Sequence, residues 1–173
     1  MKTLHRSPTS RLVLAATAAL AMAGSALAAA RYWDGGIVNI AGNGNSASAG
    51  GNGDWNTTIT NWDQGALAHV AWNNAANDTA YFAGTAGTVP LTANITANGL
   101  NFSTSIYTIT GANTLTLAGT TPTITTTTEA TIASTIAGTL GQTKAGAQSL
   151  TLSGANTYSG NTTMTAGTLK MGN

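Results

Sequence analysis

The sequence contains no cysteine and very little charge. Charged residues make up 6% of the 173 residues, against roughly 25% in a typical soluble globular domain. Without cysteine the chain cannot use a disulfide scaffold, a common condition in proteins that are threaded unfolded through a second membrane. Because 42% of the residues are hydrophobic, the chain can still build a core.

Groups that could carry out catalysis are also scarce. His5 and His69 are the only histidines, and His69 has no second histidine or cysteine with which to share a metal. We expect His69 to be a solvent-facing residue of a strand. No G-x-S-x-G motif is present, and Glu129 is the only carboxylate of the C-terminal half, so an acidic cleft cannot form there. These observations predict that the protein is not an enzyme.

The basic residues are concentrated at the N-terminus, where Lys2, Arg6 and Arg11 precede an apolar run over residues 12–23. Gly24 and Ser25 break that run before the small-x-small sequence Ala26-Leu-Ala28. This order is typical of a secretory signal peptide, predicted here over residues 1–28, with a mature protein that starts at Ala29 or Arg31. The alternative is an uncleaved membrane anchor over residues 12–30.

Removal of the signal peptide changes the sign of the net charge. Three basic residues then face five acidic residues, which gives 3 − 5 = −2. A chain of this charge has no electrostatic basis for binding nucleic acid or an anionic membrane.

The rest of the chain divides by composition into residues 29–83 and 84–173. The first part contains all four tryptophans and a Gly/Asn-rich stretch over residues 41–53, which predicts a turn or flexible loop. The second part is rich in threonine, with 22 among the 73 residues from 101 to 173. Threonine is β-branched and favours extended backbone.

Short strand-like units repeat within residues 84–173. Leu115-Thr-Leu-Ala-Gly recurs as Leu150-Thr-Leu-Ser-Gly and more loosely as Leu169-Lys-Met-Gly, with Thr131-Ile-Ala between them. Starts at 115, 131, 150 and 169 give spacings of 16, 19 and 19 residues. Units this short bury an apolar stripe only if successive copies stack, which predicts a parallel β-helix. An antiparallel β-sandwich with short hairpins is the alternative.

Period-two alternation then assigns the faces of these units. The leucines of the repeats are predicted to share one core, whereas Thr116 and Thr151 point outward. The predicted core leucines are Leu115, Leu117, Leu150, Leu152 and Leu169.

The segment from Leu150 to Leu169, with its lead-in over residues 136–149, resembles the autotransporter-associated β-strand repeat. Gln148 stands where that lead-in usually carries glycine, and Met164 stands where the repeat usually carries valine. The resemblance implies a right-handed parallel β-helix that a Gram-negative bacterium displays on its surface or secretes. It implies a structural or adhesive passenger without catalysis or cofactor, which contacts cell-surface or matrix partners, glycans among them.

The C-terminal sequence ends on a strand, Leu169-Lys-Met, without a polar capping unit. Repeat arrays need such a unit, so we expect an incomplete passenger, followed downstream by more repeats and a translocator barrel. The alternative is a short secreted protein whose open end is capped by self-association.

A second class of function is a carbohydrate-binding or carbohydrate-active module, since tryptophan rings suit sugar rings. Asp54 and Asp63 lie beside two of the tryptophans and would be the paired carboxylates of such a module. Gly50-Gly-Asn-Gly-Asp54 resembles the start of a calcium β-roll, but its aspartate comes one position early and the unit does not repeat, so no metal site is predicted. The predicted glycan-contact residues are Trp33, Trp55, Trp62 and Trp72.

Overall fold

A computed structural model of the protein describes residues 28–35 and 44–172. Every regular element within these ranges is a β-strand. No helix in the described ranges combines the length and the apolar character needed to cross a membrane. The predicted signal peptide lies outside the described residues except for Ala28.

Fifteen short strands build the fold. They are β1 (Ala30–Trp33), β2 (Trp62–Asp63), β3 (Thr79–Phe82), β4 (Thr88–Pro90), β5 (Ile95–Ala97), β6 (Gly99–Phe102), β7 (Tyr107–Thr110), β8 (Leu115–Leu117), β9 (Thr123–Thr126), β10 (Ala130–Ile132), β11 (Ile136–Ala137), β12 (Gln142–Ala145), β13 (Ser149–Leu152), β14 (Thr162–Met164) and β15 (Thr168–Met171).

The strands form three sheets that are the walls of a solenoid. The seven-stranded sheet has the order β14-β12-β9-β6-β3-β1-β2, the five-stranded sheet β15-β13-β10-β7-β4 and the three-stranded sheet β11-β8-β5. Every pairing between named strands is parallel except that of β1 with β2. The predicted parallel β-helix is therefore confirmed, and the antiparallel sandwich is wrong.

The register between turns places like residues above one another. In the five-stranded sheet Ala130 pairs with Leu150 and Leu150 with Leu169, all on the inner side. Thr131 pairs with Thr151, which pairs with Lys170, on the outer side. Alternation along each strand thus becomes a buried apolar column and an outward polar column after stacking.

The Leu-Thr-Leu repeat marks two different walls, not successive turns of one wall as the spacing predicted. Leu115 pairs with Ile95 and Ile136 in the three-stranded sheet, whereas Leu150 belongs to the five-stranded sheet. The motif records only an inward-outward-inward alternation, which strands of every wall share. The spacing of 16 residues between 115 and 131 is therefore a step between walls.

All three walls enclose a single core. Leu115, Leu117, Leu150 and Leu152 are buried in it, and Leu169 is partly buried against it. The composition boundary at residue 84 does not interrupt the solenoid, because β3 pairs along its whole length with β6. Division of the chain at that residue remains a prediction from composition.

The N-terminal end of the solenoid is closed by chain rather than left open. Antiparallel β2 covers the free edge of β1, and Trp62 also forms a bridge with Val70. Residues 44–53, within the predicted flexible loop, bond to the solenoid, since Gly51 N–H donates to Thr85 O at 2.7 Å. We name residues 44–76, together with β1, the N-terminal cap.

The last described turn is covered on only one side. All residues of β14 and three of the four in β15 are exposed, and Met164 and Met171 each keep 57% of their surface in solvent. The inner side of this turn is thus built like the buried columns above it but meets solvent.

The alternation of β13 makes a testable pair of substitutions. Leu152 is fully buried and Thr151 is only partly covered. Leu152→Asp should lower the free energy of unfolding by more than about 3 kcal/mol, because it places an unpaired charge in the core. Thr151→Asp should cost less than about 1 kcal/mol, because an outward carboxylate stays hydrated. Urea melts of both variants measure the difference, and equal losses would contradict the assigned faces.

Candidate functional site

The four predicted glycan-contact tryptophans meet in one cluster inside the N-terminal cap. Trp62 lies 4.9 Å from Trp33, 4.9 Å from Trp55 and 4.8 Å from Trp72, measured between ring centroids. Each of the four is at most 2% exposed. An indole packed on both faces cannot stack on a sugar ring, so this arrangement does not fit the predicted glycan contact. The tryptophans instead fill the core where the solenoid begins.

His69 is buried in the same cap, which makes the prediction of a solvent-facing histidine wrong. Its Nε2 lies 2.6 Å from Oδ2 of Asp34, and the side chains are 1% and 5% exposed. Asp63, fully buried, is the third member of this cluster, and donor atoms of the three residues lie within 4.8 Å of one another. Sequence reasoning missed this contact because 35 residues separate Asp34 from His69.

Backbone N–H groups already use the carboxylates of this cluster. Asp63 accepts from Asn45 N–H at 2.7 Å and from Gly65 N–H at 2.5 Å, and Asp34 accepts from Ala49 N–H at 2.5 Å. Carboxylates and an imidazole could hold a metal in principle. Here they bind the loop that folds over the end of the solenoid, so we interpret the cluster as a clamp.

The two acidic residues weighed for glycan chemistry lie in different environments. Asp63 is fully buried, with both oxygens bonded to the backbone, whereas Asp54 is exposed. A pair that cleaves glycosidic bonds needs both carboxyl groups to reach one substrate. A buried and fully bonded Asp63 cannot do so.

One lysine points into the solenoid. Lys144 is 1% exposed and continues an inward column after Leu100 and Ile124. Burial lowers the pKa of its ammonium group. Nζ donates to the carbonyls of Ala145 at 2.7 Å, Gly146 at 2.8 Å and Ala166 at 3.1 Å. The last bond connects two turns, so Lys144 has a structural role.

Two grooves mark the outer surface. The larger, of about 210 Å³, is lined by neutral residues near Pro122 and Leu140. The smaller, of about 100 Å³, lies on the outer face of the five-stranded sheet and is lined by residues of both charges. We name its outward side chains the outer patch. They are Ile106, Glu129, Thr131, Ser149, Thr151 and Lys170.

Ile106 is the unusual member of the outer patch. Its side chain is 76% exposed and its backbone has a φ of 70°, a conformation that β-branched residues rarely adopt. The turn is held by a bond from Ile106 N–H to Glu129 O at 3.0 Å. Strained residues of this kind concentrate at functional positions. The outer patch is therefore the best candidate contact surface on the described residues.

Alignment of the repeats contains a signal for part of this patch. Lys170 stands in the outward column where the two preceding turns carry threonine. Ile106 leaves no such signal, because its exposure depends on the turn conformation that precedes β7.

Removal of one clamp partner should strand a buried charge. His69→Ala leaves Asp34 buried without its cationic partner and should lower the free energy of unfolding by about 3–5 kcal/mol. The double variant Asp34→Asn with His69→Ala removes the stranded charge and should be more stable than His69→Ala alone. Urea melts of the wild type and the three variants measure the coupling. Simple additivity of the two single losses would contradict the clamp.

Comparison with known proteins gives two matches to the chain. Residues 143–171, which include β13, β14 and β15, match the passenger-associated-transport-repeat family. The chain is also 47% identical over 167 residues to the adhesin BmaC autotransporter of Brucella suis biovar 1 (strain 1330). That alignment covers 94% of this chain but 5% of the adhesin. No solved structure matches the chain.

The family match lies on the segment whose resemblance to the autotransporter-associated repeat the sequence predicted, so that prediction is confirmed. In the structure the matched residues run from the second residue of β12 to the end of β15. The repeat is thus a little over one turn of a parallel solenoid. The chain belongs to the proteins that carry the passenger-associated-transport-repeat.

Proposed function

We propose that this chain is part of an exported autotransporter passenger, a β-solenoid that presents adhesive faces at the surface of a Gram-negative bacterium. The observation that carries the proposal is the 47% identity with an autotransporter adhesin along nearly the whole chain. The solenoid supports it, because a stack of short turns exposes long regular walls to partners while its core only holds the stack together.

The proposed action is binding without catalysis. The buried acids and histidine of the cap serve the clamp, and the outward columns of the five-stranded sheet are mainly threonine. Hydroxyl-rich walls of this kind can make many weak polar contacts with a cell surface or matrix. The proposed contact surface is the outer patch.

Export makes a prediction about the mature N-terminus. Ala30 pairs with Thr79, and Ala29 N–H donates to Oδ1 of Asp78 at 2.9 Å. Oδ2 of the same carboxylate binds Arg31 at 2.7 Å. Cleavage after Ala28 would turn Ala29 N into an ammonium group beside Asp78, whereas cleavage after Ala30 would remove part of β1. N-terminal sequencing of exported chain should therefore begin at Ala29, and a start at Arg31 would contradict this assignment.

Adhesion is tested with beads coated with the purified chain. We expect these beads to adhere to cultured epithelial cells or to immobilised matrix proteins about tenfold more than uncoated beads, because many weak contacts act together. Fluorescence counting of adherent beads after washing gives the measurement.

Beads coated with the Leu152→Asp variant are the control, since that substitution disrupts the core but leaves the outer patch residues in the sequence. Adherence equal to that of uncoated beads on every surface would contradict the adhesive role. Equal adherence of wild-type and Leu152→Asp beads would show that the solenoid is not required.

A further inference from the structure

The outer patch contains two opposite charges that do not neutralise each other. Glu129 and Lys170 are exposed and form no ion pair, and the two ion pairs of the described residues both lie elsewhere. Lys170 lies two strands beyond Thr131, and Glu129 lies two residues before Thr131 on the same strand. Spacings of about 4.8 Å between strands and about 3.3 Å along a strand place the charges about 12 Å apart.

We propose that the outer patch is a contact surface for a second copy of this chain. A second copy laid face to face across a two-fold axis in the plane of the sheet can bring its Lys170 opposite Glu129. The same axis brings its Glu129 opposite Lys170, so each contact forms two ion pairs. A patch of this kind is self-complementary, as a two-fold interface requires.

The residues between the two charges permit this approach. Thr131, Ser149 and Thr151 have small side chains and are partly covered, so they form a low floor between Glu129 and Lys170. Small hydroxyl residues let two sheets come close and exchange hydrogen bonds across the contact. Exposed Ile106, held in its strained turn beside Glu129, adds apolar area at the edge.

The size of the face fixes the strength of the contact. Five strands of about four residues offer roughly 300 Å² on each copy, from the same spacings. Stable interfaces bury roughly 800 Å² on each partner. A single contact is therefore weak, and it becomes effective where many copies face one another, as on two apposed cells. The proposal goes beyond adhesion to host or matrix surfaces and does not depend on it.

Clumping of coated beads tests the proposal at the required multivalency. Beads that carry the wild-type chain should clump in about 0.05 M NaCl and disperse in about 0.5 M NaCl, where exposed ion pairs are screened. Beads with Glu129→Lys alone, or with Lys170→Glu alone, should form at least about tenfold fewer clumps, because each contact then sets like charges together.

A mixture of the two variants distinguishes pairing from any general effect of charge. Glu129→Lys beads of one colour and Lys170→Glu beads of another should clump together, since each patch again meets its complement. The double variant with both substitutions should clump with itself. Asp54→Lys, which makes the same charge change on an exposed residue of the cap, should clump like the wild type.

Several results would overturn the proposal. Wild-type beads that stay dispersed at low salt would remove the contact itself. Single variants that clump like the wild type, or a mixture that stays dispersed, would remove the pairing of Glu129 with Lys170. Thermal melts of all variants should coincide within a few degrees, because exposed substitutions change stability little. Adhesion to epithelial cells or matrix, measured separately, can succeed or fail without affecting these outcomes.

Discussion

Hydrogen bonds between the backbones of successive turns are the interaction on which this protein depends. Its strands have two to four residues, too few to bury an apolar face or to pair stably alone. Stacked in register, each strand pairs with the turn before and the turn after, and its inward residues complete a continuous column. The low charge of the chain follows from this construction, since inward positions must be apolar and outward ones extend hydroxyl columns.

A stack built this way has a problem at its ends, where backbone groups and apolar columns lose their neighbours. At the N-terminal end the chain covers them with β2 and four buried tryptophans. The cap loop has few apolar residues of its own to hold it down, and buried Asp34 and Asp63 hold it through backbone N–H groups instead. His69 supplies the positive partner that makes such burial tolerable. The tryptophans and the clamp thus act together to close the solenoid.

The outer walls have the opposite freedom. Outward side chains are not needed for stacking, so they can vary without cost to the fold. On the five-stranded sheet, Glu129 and Lys170 interrupt otherwise neutral columns, and Ile106 exposes apolar surface from a strained turn. These features do not stabilise the chain. They are easier to understand as the part of the surface that meets something else.

The sequence by itself determined the class of fold and the family. Alternation of apolar residues with threonine is a local property of a strand, and short copies of it between glycine turns leave stacking as the only way to bury them. The motif from Leu150 to Leu169 could be read without coordinates for the same reason, because the residues that define it are neighbours in the chain. The division into inward and outward positions followed equally from period two.

Only the tertiary structure decided which strands share a wall and which residues meet in the cap. Leu115 and Leu150 carry the same local pattern but lie in different sheets, and only the path of the turns between them separates the two. Burial of the tryptophans, and the pairing of His69 with Asp34, join residues that are distant along the chain. The outer patch likewise exists only because turns about 20 residues long bring Glu129, Ser149 and Lys170 onto one face. A local pattern fixes what a residue can do, and the register of the stack fixes which residues it does it with.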